Sequence, residues 1–183
     1  MVVYIMRHGQ TVWNAKGITQ GRSQNRLSKL GKAQVEEVAK KFKQGDVDII
    51  ITSPLMRTMQ TANIVNKVLK AKIVRDKKLI EIDNGVLTGR AKETLTEEEK
   101  RLKKENPHLL KMESVQDVVD RVRDFSGFLL SNFYDKKVLV VTHDIVAFIL
   151  EKILLKDEKY VLNYYDIHEG KYDNAEIRRF TID

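Results

Sequence analysis

Short runs of apolar residues alternate along the chain with longer segments in which apolar positions recur every three or four residues. Runs of the first kind predict buried strands, and segments of the second kind predict helices with one apolar face. This alternation is typical of a mostly parallel sheet covered by helices. We therefore predict an α/β fold, a three-layer sandwich in which helices flank a mostly parallel central sheet. The predicted strands are Val2–Met6, Asp48–Ile51, a short strand beginning at Ile73, Val138–Val141, and two final candidates near Tyr160–Ile167 and Ala175–Ile182.

Four segments with an apolar stripe predict the covering helices. The first begins after Ser28, whose hydroxyl is expected to cap it. The others run from about Leu55 to Leu69, from about Ser114 to Phe133 and from Ile145 to Leu154. The predicted buried residues are Met59, Ala62 and Leu69 in the second helix and Val115, Val118, Val119, Val122, Phe125 and Leu129 in the third.

A fifth helix is predicted from charge rather than from an apolar stripe. The segment from Glu97 to Lys104 has acids in its first turn and bases in its last, an order that complements the helix dipole. The spacing of four residues also predicts ion pairs of Glu97 with Arg101 and of Glu99 with Lys103. We therefore expect an exposed surface helix here.

Composition sets the broad class of the protein. The 183 residues, 42% of them hydrophobic, favour one domain over 1–183. No apolar run approaches the roughly 18 residues that span a bilayer, and the N-terminus has no signal-peptide pattern. We therefore expect a cytoplasmic protein with no membrane partner. The absence of cysteine excludes disulfides and a cysteine nucleophile.

The formal net charge of +7 raises the question of a nucleic-acid partner. The basic residues are scattered, interleaved with acids and not with aromatic residues. We therefore expect no nucleic-acid partner, which leaves a solvated basic surface or one that attracts small anions.

Two histidines follow predicted strands directly. His8 comes after the first strand beside Arg7, and His143 comes after Val138–Val141 and Thr142. Ligands of open α/β sheets bind at the carboxyl ends of the strands. A permanent cation next to a nucleophilic imidazole indicates chemistry on an anion, and phosphate fits best.

Two further polar residues fall at compatible positions. Arg57 lies one turn into the predicted second helix, where a guanidinium and a helix N-terminus both favour phosphate oxygens. Glu81 follows the third strand. A metal site using His8 and His143 has little support, because the chain contains no HExxH, no His-x-His and no Asp cluster at ligand spacing. We predict no metal and no cofactor.

At these residues the chain resembles the histidine phosphatase superfamily, which includes the cofactor-dependent phosphoglycerate mutases. The resemblance covers nearly the whole chain. Its segments, in order, are Arg7–Thr11, Trp13–Asn14, Gln20–Arg22, Leu27–Ser28 with Gly31 and Gln34, Thr52–Ala62, Glu81–Gly85, Glu113–Ser114 with Arg121, and Val141–His143.

The resemblance implies a role for each site residue. His8 would attack phosphorus and become a phosphohistidine, and Glu81 would protonate the leaving alkoxide and then deprotonate water. The other implied residues surround the phosphate or substrate. They are Arg7, Arg57 and His143 on the phosphoryl group, and Asn14, Gln20 and Gly21 as further contacts.

Asp144 departs from the family pattern, which has glycine after the second histidine. A carboxylate at this place would repel phosphate unless it points away or meets a base. We interpret it as a cap of the following helix or as a contact to a cationic substrate group, and include it among the candidate substrate-binding residues.

The expected activity is phosphomonoester hydrolysis. Mutases of the family carry a long insertion after the acidic residue, whereas only 32 residues separate Glu81 from Ser114 here. A short segment over the site admits water, which favours hydrolysis and therefore a phosphatase. A phosphoglycerate mutase and a weakly active phospho-ligand binding or regulatory module remain the alternatives.

The identity of the partner is left open. We expect a phosphorylated small-molecule substrate, with Arg22, Arg90 and Lys92 as candidate contacts that could equally be surface charges. The oligomeric state is open and includes a homodimer.

Overall fold

The computed structural model describes residues 1–156 and 172–182. These residues form strands and helices in alternation, joined between β3 and α5 by short 3₁₀ turns. The strands are β1 (Val2–Arg7), β2 (Ile49–Thr52), β3 (Lys72–Arg75), β4 (Lys137–Thr142) and β5 (Ile177–Thr181). The helices are α1 (Val12–Ala15), α2 (Lys29–Ala39), α3 (Met56–Leu69), α4 (Glu97–Glu105), α5 (Val115–Phe133) and α6 (Asp144–Leu154).

The strands form one sheet in the order β3-β2-β4-β1-β5. β1, β2, β3 and β4 are parallel to their neighbours, and β5 pairs antiparallel with β1 at one edge. β1 and β4 are adjacent in the centre, with Arg7 opposite Thr142 at their carboxyl ends. The predicted α/β class with a mostly parallel sheet is confirmed.

Helices cover both faces of this sheet. Because side chains alternate along a strand, Ile5 and Ile51 pack beneath α5 and α6 while Met6 and Ile50 pack beneath α2 and α3. Helix α2, the first long helix after β1, therefore lies on one face, and α6, which follows β4, lies on the other. This reversal leaves a crevice at the carboxyl ends of β1 and β4, where α/β sheets bind ligands.

Helix starts agree closely with the sequence predictions. The Ser28 hydroxyl accepts from the N–H of Gly31 at 2.9 Å and caps α2. Ser114 caps α5 in a reciprocal arrangement with Asp117. Leu55 precedes α3 as its N-cap residue rather than belonging to it.

Burial and pairing differ from prediction at a few positions. Met59 and Val115 are only half-buried, whereas the other predicted core residues of α3 and α5 are buried. The surface helix α4 is confirmed, but its predicted ion pairs are wrong. The pairs observed are Lys100 with Glu97, Arg101 with Glu105, and Glu99 with Arg90.

Of the two final strand candidates, Ala175–Ile182 corresponds to β5. The candidate near Tyr160–Ile167 lies outside the described residues. Within the described ranges, none of the helices combines the length and apolar character needed to cross a bilayer.

Close backbone packing holds the loop after β1 against α2. A Cβ on Gly31 would lie 1.9 Å from the carbonyl oxygen of Gln10, and a Cβ on Gly9 would lie 2.5 Å from the carbonyl oxygen of Gly31. Only glycines allow this approach. The loop that follows His8 is therefore fixed by its contact with the helix.

Candidate active site

The pairing of β1 with β4 brings His8 and His143 together. The His8 N–H donates to the Thr142 carbonyl at 3.0 Å, which continues the strand pairing by one residue. The two ring centroids lie 5.3 Å apart, and both residues are buried. The structure thus unites two residues that are 135 positions apart, because their strands are neighbours in the sheet.

The His8 ring is held in one tautomer. Its Nδ1 lies 2.8 Å from the Gly9 carbonyl oxygen, which can only accept a hydrogen bond. Nδ1 therefore carries the proton, and Nε2 keeps its lone pair. Burial and the charge of Arg57 lower the pKa of His8 well below its usual value. His8 is a neutral imidazole with an unprotonated Nε2 at neutral pH.

Arg57 links both histidines from the first turn of α3. Its Nε lies 3.2 Å from His8 Nε2 and 3.2 Å from His143 Nδ1, so one N–H is shared between two ring nitrogens. The terminal nitrogens donate to the Ser23 carbonyl at 2.7 Å and the Gly21 carbonyl at 2.8 Å. Burial lowers the pKa of Arg57 to about 10, so it stays cationic at neutral pH.

His143 is oriented from both sides. Its Nδ1 accepts from Arg57, so Nε2 carries the proton and donates to the Ser53 hydroxyl at 2.9 Å. Burial, followed by the charge of Arg57, lowers the pKa of His143. Ser53 had no assigned role in the sequence analysis. Its position directly after β2, at the same sheet edge, is the signal that could have identified it.

Arg7 is anchored next to the histidines. Its guanidinium donates to the Tyr172 carbonyl and lies 3.5 Å from the Asp144 carboxylate. Tyr172 is itself fixed, because its hydroxyl donates to Glu151 at 2.6 Å. Among residues 1–156 and 172–182, the buried Nε of Arg7 has no hydrogen-bond partner. A phosphate oxygen would satisfy this orphaned donor.

The interpretation of Asp144 as a helix cap is wrong. His143 is the N-cap residue of α6, and Asp144 is the first residue of the helix. Its carboxylate accepts from the Tyr172 N–H at 2.9 Å and pairs with Arg7. The carboxylate therefore meets a base, which compensates its repulsion of a phosphate.

Glu81 faces the same cavity from the loop after β3. Its Oε1 accepts from the Ile82 N–H at 3.0 Å. Burial raises the pKa of Glu81, although the charge of Arg57 opposes this shift. A carboxyl that retains its proton above the usual range can act as an acid.

Two of the candidate substrate contacts have structural partners instead. Arg22 donates to the Glu81 carbonyl at 3.3 Å and pairs with Asp83 and Glu113. Arg90 pairs with Glu99 and donates to the Thr94 carbonyl at 3.0 Å. Neither lines the cavity, whereas Lys92 does. Arg22 thus holds the loop that carries Glu81.

The predicted polar contacts also lie at the cavity. The Thr11 hydroxyl is 3.0 Å from Asn14 Oδ1 and 2.9 Å from Gln20 Oε1, which orders both amides. Gly21 has a φ of +48°, and a Cβ there would lie 2.9 Å from the Thr88 hydroxyl. Its carbonyl accepts from Arg57, so this glycine positions the guanidinium.

One cavity of about 390 Å³ joins these residues. It is lined by Arg7, His8, Asn14, Gln20, Gly21, Arg57, Glu81 and Asp144, together with Lys92, Lys100, Lys103 and Lys104. His143 lies behind Arg57 and contacts it. Sequence reasoning missed the last three lysines, because it treated them as part of an exposed helix. The described residues include no group of three or more His, Asp or Glu side chains that could hold a metal ion.

The histidine phosphatase superfamily (branch 1) matches residues 3–183 by its sequence profile. The chain therefore belongs to this superfamily, and the resemblance seen in the motifs is confirmed. Among curated proteins, it is 35% identical to the probable phosphoglycerate mutase GpmB of Yersinia enterocolitica over 159 residues, covering 84% of this chain and 74% of that protein. The corresponding Erwinia tasmaniensis protein is 31% identical over the same shares.

Solved structures share the fold. The mycobacterial glucosyl-3-phosphoglycerate phosphatase Rv2419c, in complex with VO₃, superimposes with a TM-score of 0.74 at 25% identity, covering 98% of this chain and 92% of that chain. A candidate α-ribazole-5′-phosphate phosphatase from Escherichia coli superimposes with a TM-score of 0.83 at 21% identity, covering 100% of this chain and 91% of that one. The latter similarity concerns the fold alone.

Proposed function

We propose that this protein is a phosphomonoesterase that works through a phosphohistidine on His8. The observation that carries the proposal is the unprotonated His8 Nε2, which accepts from the Arg57 guanidinium at 3.2 Å, with Glu81 on the wall of the same cavity. A nucleophile, a cation for the phosphoryl oxygens and a proton donor are thereby present at one place.

In the first step, the Nε2 lone pair of His8 attacks phosphorus and the ester P–O bond breaks. The protonated Glu81 gives its proton to the departing alkoxide, which leaves as an alcohol. The raised pKa of Glu81 supports this role, because the carboxyl must hold a proton when the ester breaks. The hydrogen bond from His8 Nδ1 to the Gly9 carbonyl keeps Nε2 aimed at phosphorus.

In the second step, water attacks the phosphohistidine and the N–P bond breaks. Glu81, now a carboxylate, takes a proton from the water, and inorganic phosphate is released. His8 and protonated Glu81 are restored, so the cycle balances without a further reactant.

Side chains that are already in position would stabilise the negative charge on the transferring phosphoryl group. Arg57 and Arg7 are cations beside His8, and the Nε of Arg7, which has no partner in the described part of the chain, offers a donor. A bound dianion would also favour the protonated form of His143, since it reverses the field that Arg57 sets up. These groups stabilise the equatorial oxygens in the transition state.

Hydrolysis is favoured over transfer to a second substrate position. The segment between Glu81 and Ser114 is short, so the cavity mouth stays open to water. The mycobacterial structure at 25% identity is named as a phosphatase. A phosphoglycerate mutase is the second candidate, and the names of the Yersinia and Erwinia relatives favour it.

The test compares His8→Ala with His108→Ala, which removes an exposed histidine. We expect the first variant to lose at least about 1,000-fold in phosphatase kcat/KM and the second to lose nothing. Full activity of His8→Ala would refute the mechanism. With 3-phosphoglycerate, isomer formation without free phosphate would establish the mutase. Tight binding of phosphate esters without turnover would instead favour a binding module.

A further inference from the structure

One peptide group connects the Gln34 side chain to the ring of His8. This is the peptide between Gly9 and Gln10. Its carbonyl, that of Gly9, accepts from His8 Nδ1 at 2.8 Å. Its N–H, that of Gln10, donates to Gln34 Oε1 at 3.1 Å. The peptide before it is held separately, because the Gly9 N–H donates to the Thr61 hydroxyl at 3.2 Å.

Gln34 lies on α2, in a motif segment to which the proposed mechanism gives no role. Its side chain is half-buried. A backbone N–H can only donate, so the atom that faces Gln10 is the oxygen of the Gln34 amide. When the N–H of a peptide donates, the carbonyl of the same peptide becomes a better acceptor, since linked hydrogen bonds polarise one another. Gln34 therefore strengthens the hydrogen bond that Gly9 accepts from His8.

This hydrogen bond gains importance while phosphorus is attacked. In the described part of the chain, the His8 ring makes two hydrogen bonds, one to the Gly9 carbonyl and one from Arg57 to Nε2. The attack uses the Nε2 lone pair for the new bond to phosphorus, so the contact with Arg57 is lost. The Gly9 carbonyl then holds the ring by itself.

The ring also becomes positively charged in this step, because the neutral imidazole donates its lone pair and keeps the proton on Nδ1. A hydrogen bond from a charged donor is stronger than one from a neutral donor. Burial and the charge of Arg57 lower the pKa of His8, and the hydrogen bond to Gly9 opposes them. The Gly9 carbonyl thus favours the charged ring over the neutral one.

We propose that Gln34 is a positioning residue for the nucleophile, which acts through the peptide between Gly9 and Gln10 to hold the His8 ring and to stabilise the charge it gains. This inference rests on the proposed function, because it concerns the same nucleophile. Gln34 is not among the residues that line the cavity. Its effect should therefore fall on the rate of phosphoryl transfer and leave substrate binding unchanged.

The variant Gln34→Met keeps the length of the side chain and removes the acceptor. The measurement is a single turnover of 4-nitrophenyl phosphate with the protein in excess, since nitrophenolate leaves as the bond from Nε2 to phosphorus forms. The maximal rate constant should fall about tenfold, while the half-saturating protein concentration should change less than about twofold. Gln34→Glu should restore most of the rate, because a carboxylate also accepts from the Gln10 N–H. Gln34→Lys, which offers only donors, is the second variant if Gln34→Met folds poorly.

Gln60→Met is the matched control. Gln60 is also half-buried, and its Oε1 accepts from the backbone N–H of Leu27 at 2.8 Å. The control therefore loses the same kind of hydrogen bond, but one that does not lead to the His8 ring. Its maximal rate constant should stay within about twofold of the wild type. Thermal unfolding of both variants measures the loss of stability that they share.

The proton on His8 Nδ1 provides a readout that needs no turnover. A weaker hydrogen bond to the Gly9 carbonyl moves its NMR signal upfield. We expect this shift in Gln34→Met, and we expect the wild-type position in Gln60→Met and close to it in Gln34→Glu.

Three results would overturn the inference. The first is an equal maximal rate constant for Gln34→Met and Gln60→Met. The second is a loss that appears only in the half-saturating concentration or that Gln34→Glu does not restore. The third is an unchanged Nδ1 signal in Gln34→Met. A wild-type protein that hydrolyses nothing, but whose Nδ1 signal moves upfield in Gln34→Met and not in Gln60→Met, would refute the proposed function and leave the link between Gln34 and His8 standing.

Discussion

The Asp144 carboxylate lies 3.5 Å from the Arg7 guanidinium and accepts the Tyr172 N–H at 2.9 Å. Arg7 in turn donates to the Tyr172 carbonyl, so the three residues form a closed set of contacts. Asp144 thereby holds the guanidinium of Arg7, the residue next to His8. The charge of Asp144 also helps to raise the pKa of Glu81, after the larger effect of burial.

The first prediction concerns Asp144→Asn. Removing this negative charge lowers the pKa of Glu81, so Glu81 loses its proton at a lower pH. The alkaline limb of the profile of kcat/KM against pH should move to lower pH. Asp173→Asn changes the same charge at an exposed position and should leave the limb in place. If the alkaline limb of Asp144→Asn stayed in place or moved to higher pH, the charge of Asp144 would not be raising the pKa of Glu81.

The second prediction concerns Glu81→Gln and the leaving group. Alkyl phosphates need a proton on the departing oxygen, so their kcat should fall by about 10²–10⁴. With 4-nitrophenyl phosphate the first step should survive, because nitrophenolate leaves without protonation. Hydrolysis of the phosphohistidine should then be slow, giving a burst of about one equivalent of nitrophenolate in stopped-flow measurements. Glu37→Gln, on the surface of α2, serves as the control. An equal loss of kcat on both substrates by Glu81→Gln, without a burst, would contradict the proposed role of Glu81.

The third prediction concerns stability in acid. His143 has a pKa well below its ordinary 6.5 because it is buried. Below pH 6.5 the unfolded chain therefore binds a proton that the folded protein does not. The contribution of His143 to stability is complete above pH 6.5 and is lost as the pH falls, by up to about 1.4 kcal/mol per pH unit.

Urea unfolding of His143→Gln at pH 7.5 and pH 5.5 checks this expectation. The loss of stability between these two pH values should be about 1.4 kcal/mol smaller in the variant than in the wild type. His108→Gln should keep the wild-type difference, because that residue is exposed. Identical pH dependence of the wild type and His143→Gln would show that the folded protein binds this proton as readily as the unfolded chain.

The fourth prediction compares two helical glycines. Gly31→Ala places a Cβ 1.9 Å from the Gln10 carbonyl oxygen, so the loop after His8 or α2 must shift, at a cost of about 1–3 kcal/mol. Gly127→Ala in α5 meets nothing within 4 Å and should stabilise the protein by about 0.5–1 kcal/mol. Thermal unfolding measures both. A stable Gly31→Ala protein with wild-type activity would show that the packing of this loop does not position His8.

Several features of the site could be predicted from local sequence. His8 and His143 follow apolar strands, and Ser28 and Ser114 precede apolar stripes. The sequence analysis also named Arg57 and Glu81, and both line the cavity that contains His8. These features are local, because strand ends, caps and stripes depend on residues within a few positions of one another.

The charged partners could not be predicted in this way. The sequence allowed Lys103 to pair with Glu99 on one helix face, but Glu99 meets Arg90 and Lys103 faces the cavity. The turn before α4 packs against the first part of the chain, with Ile18 paired to Ala91. Asp144 likewise meets Arg7, a residue near the other end of the chain.

The sequence by itself determined the α/β class, the order of β1 to β5 and of α2 to α6, and the candidate residues for phosphoryl chemistry. Only the tertiary structure decided that one Arg57 N–H serves both histidines, that Asp144 anchors Arg7, and that Lys103 lines the same cavity as His8. The reason is physical. The spacing of apolar positions that predicts a helix or a strand depends on residues close together in the chain. Ion pairing and pKa depend instead on distances through space between residues that are far apart in the chain.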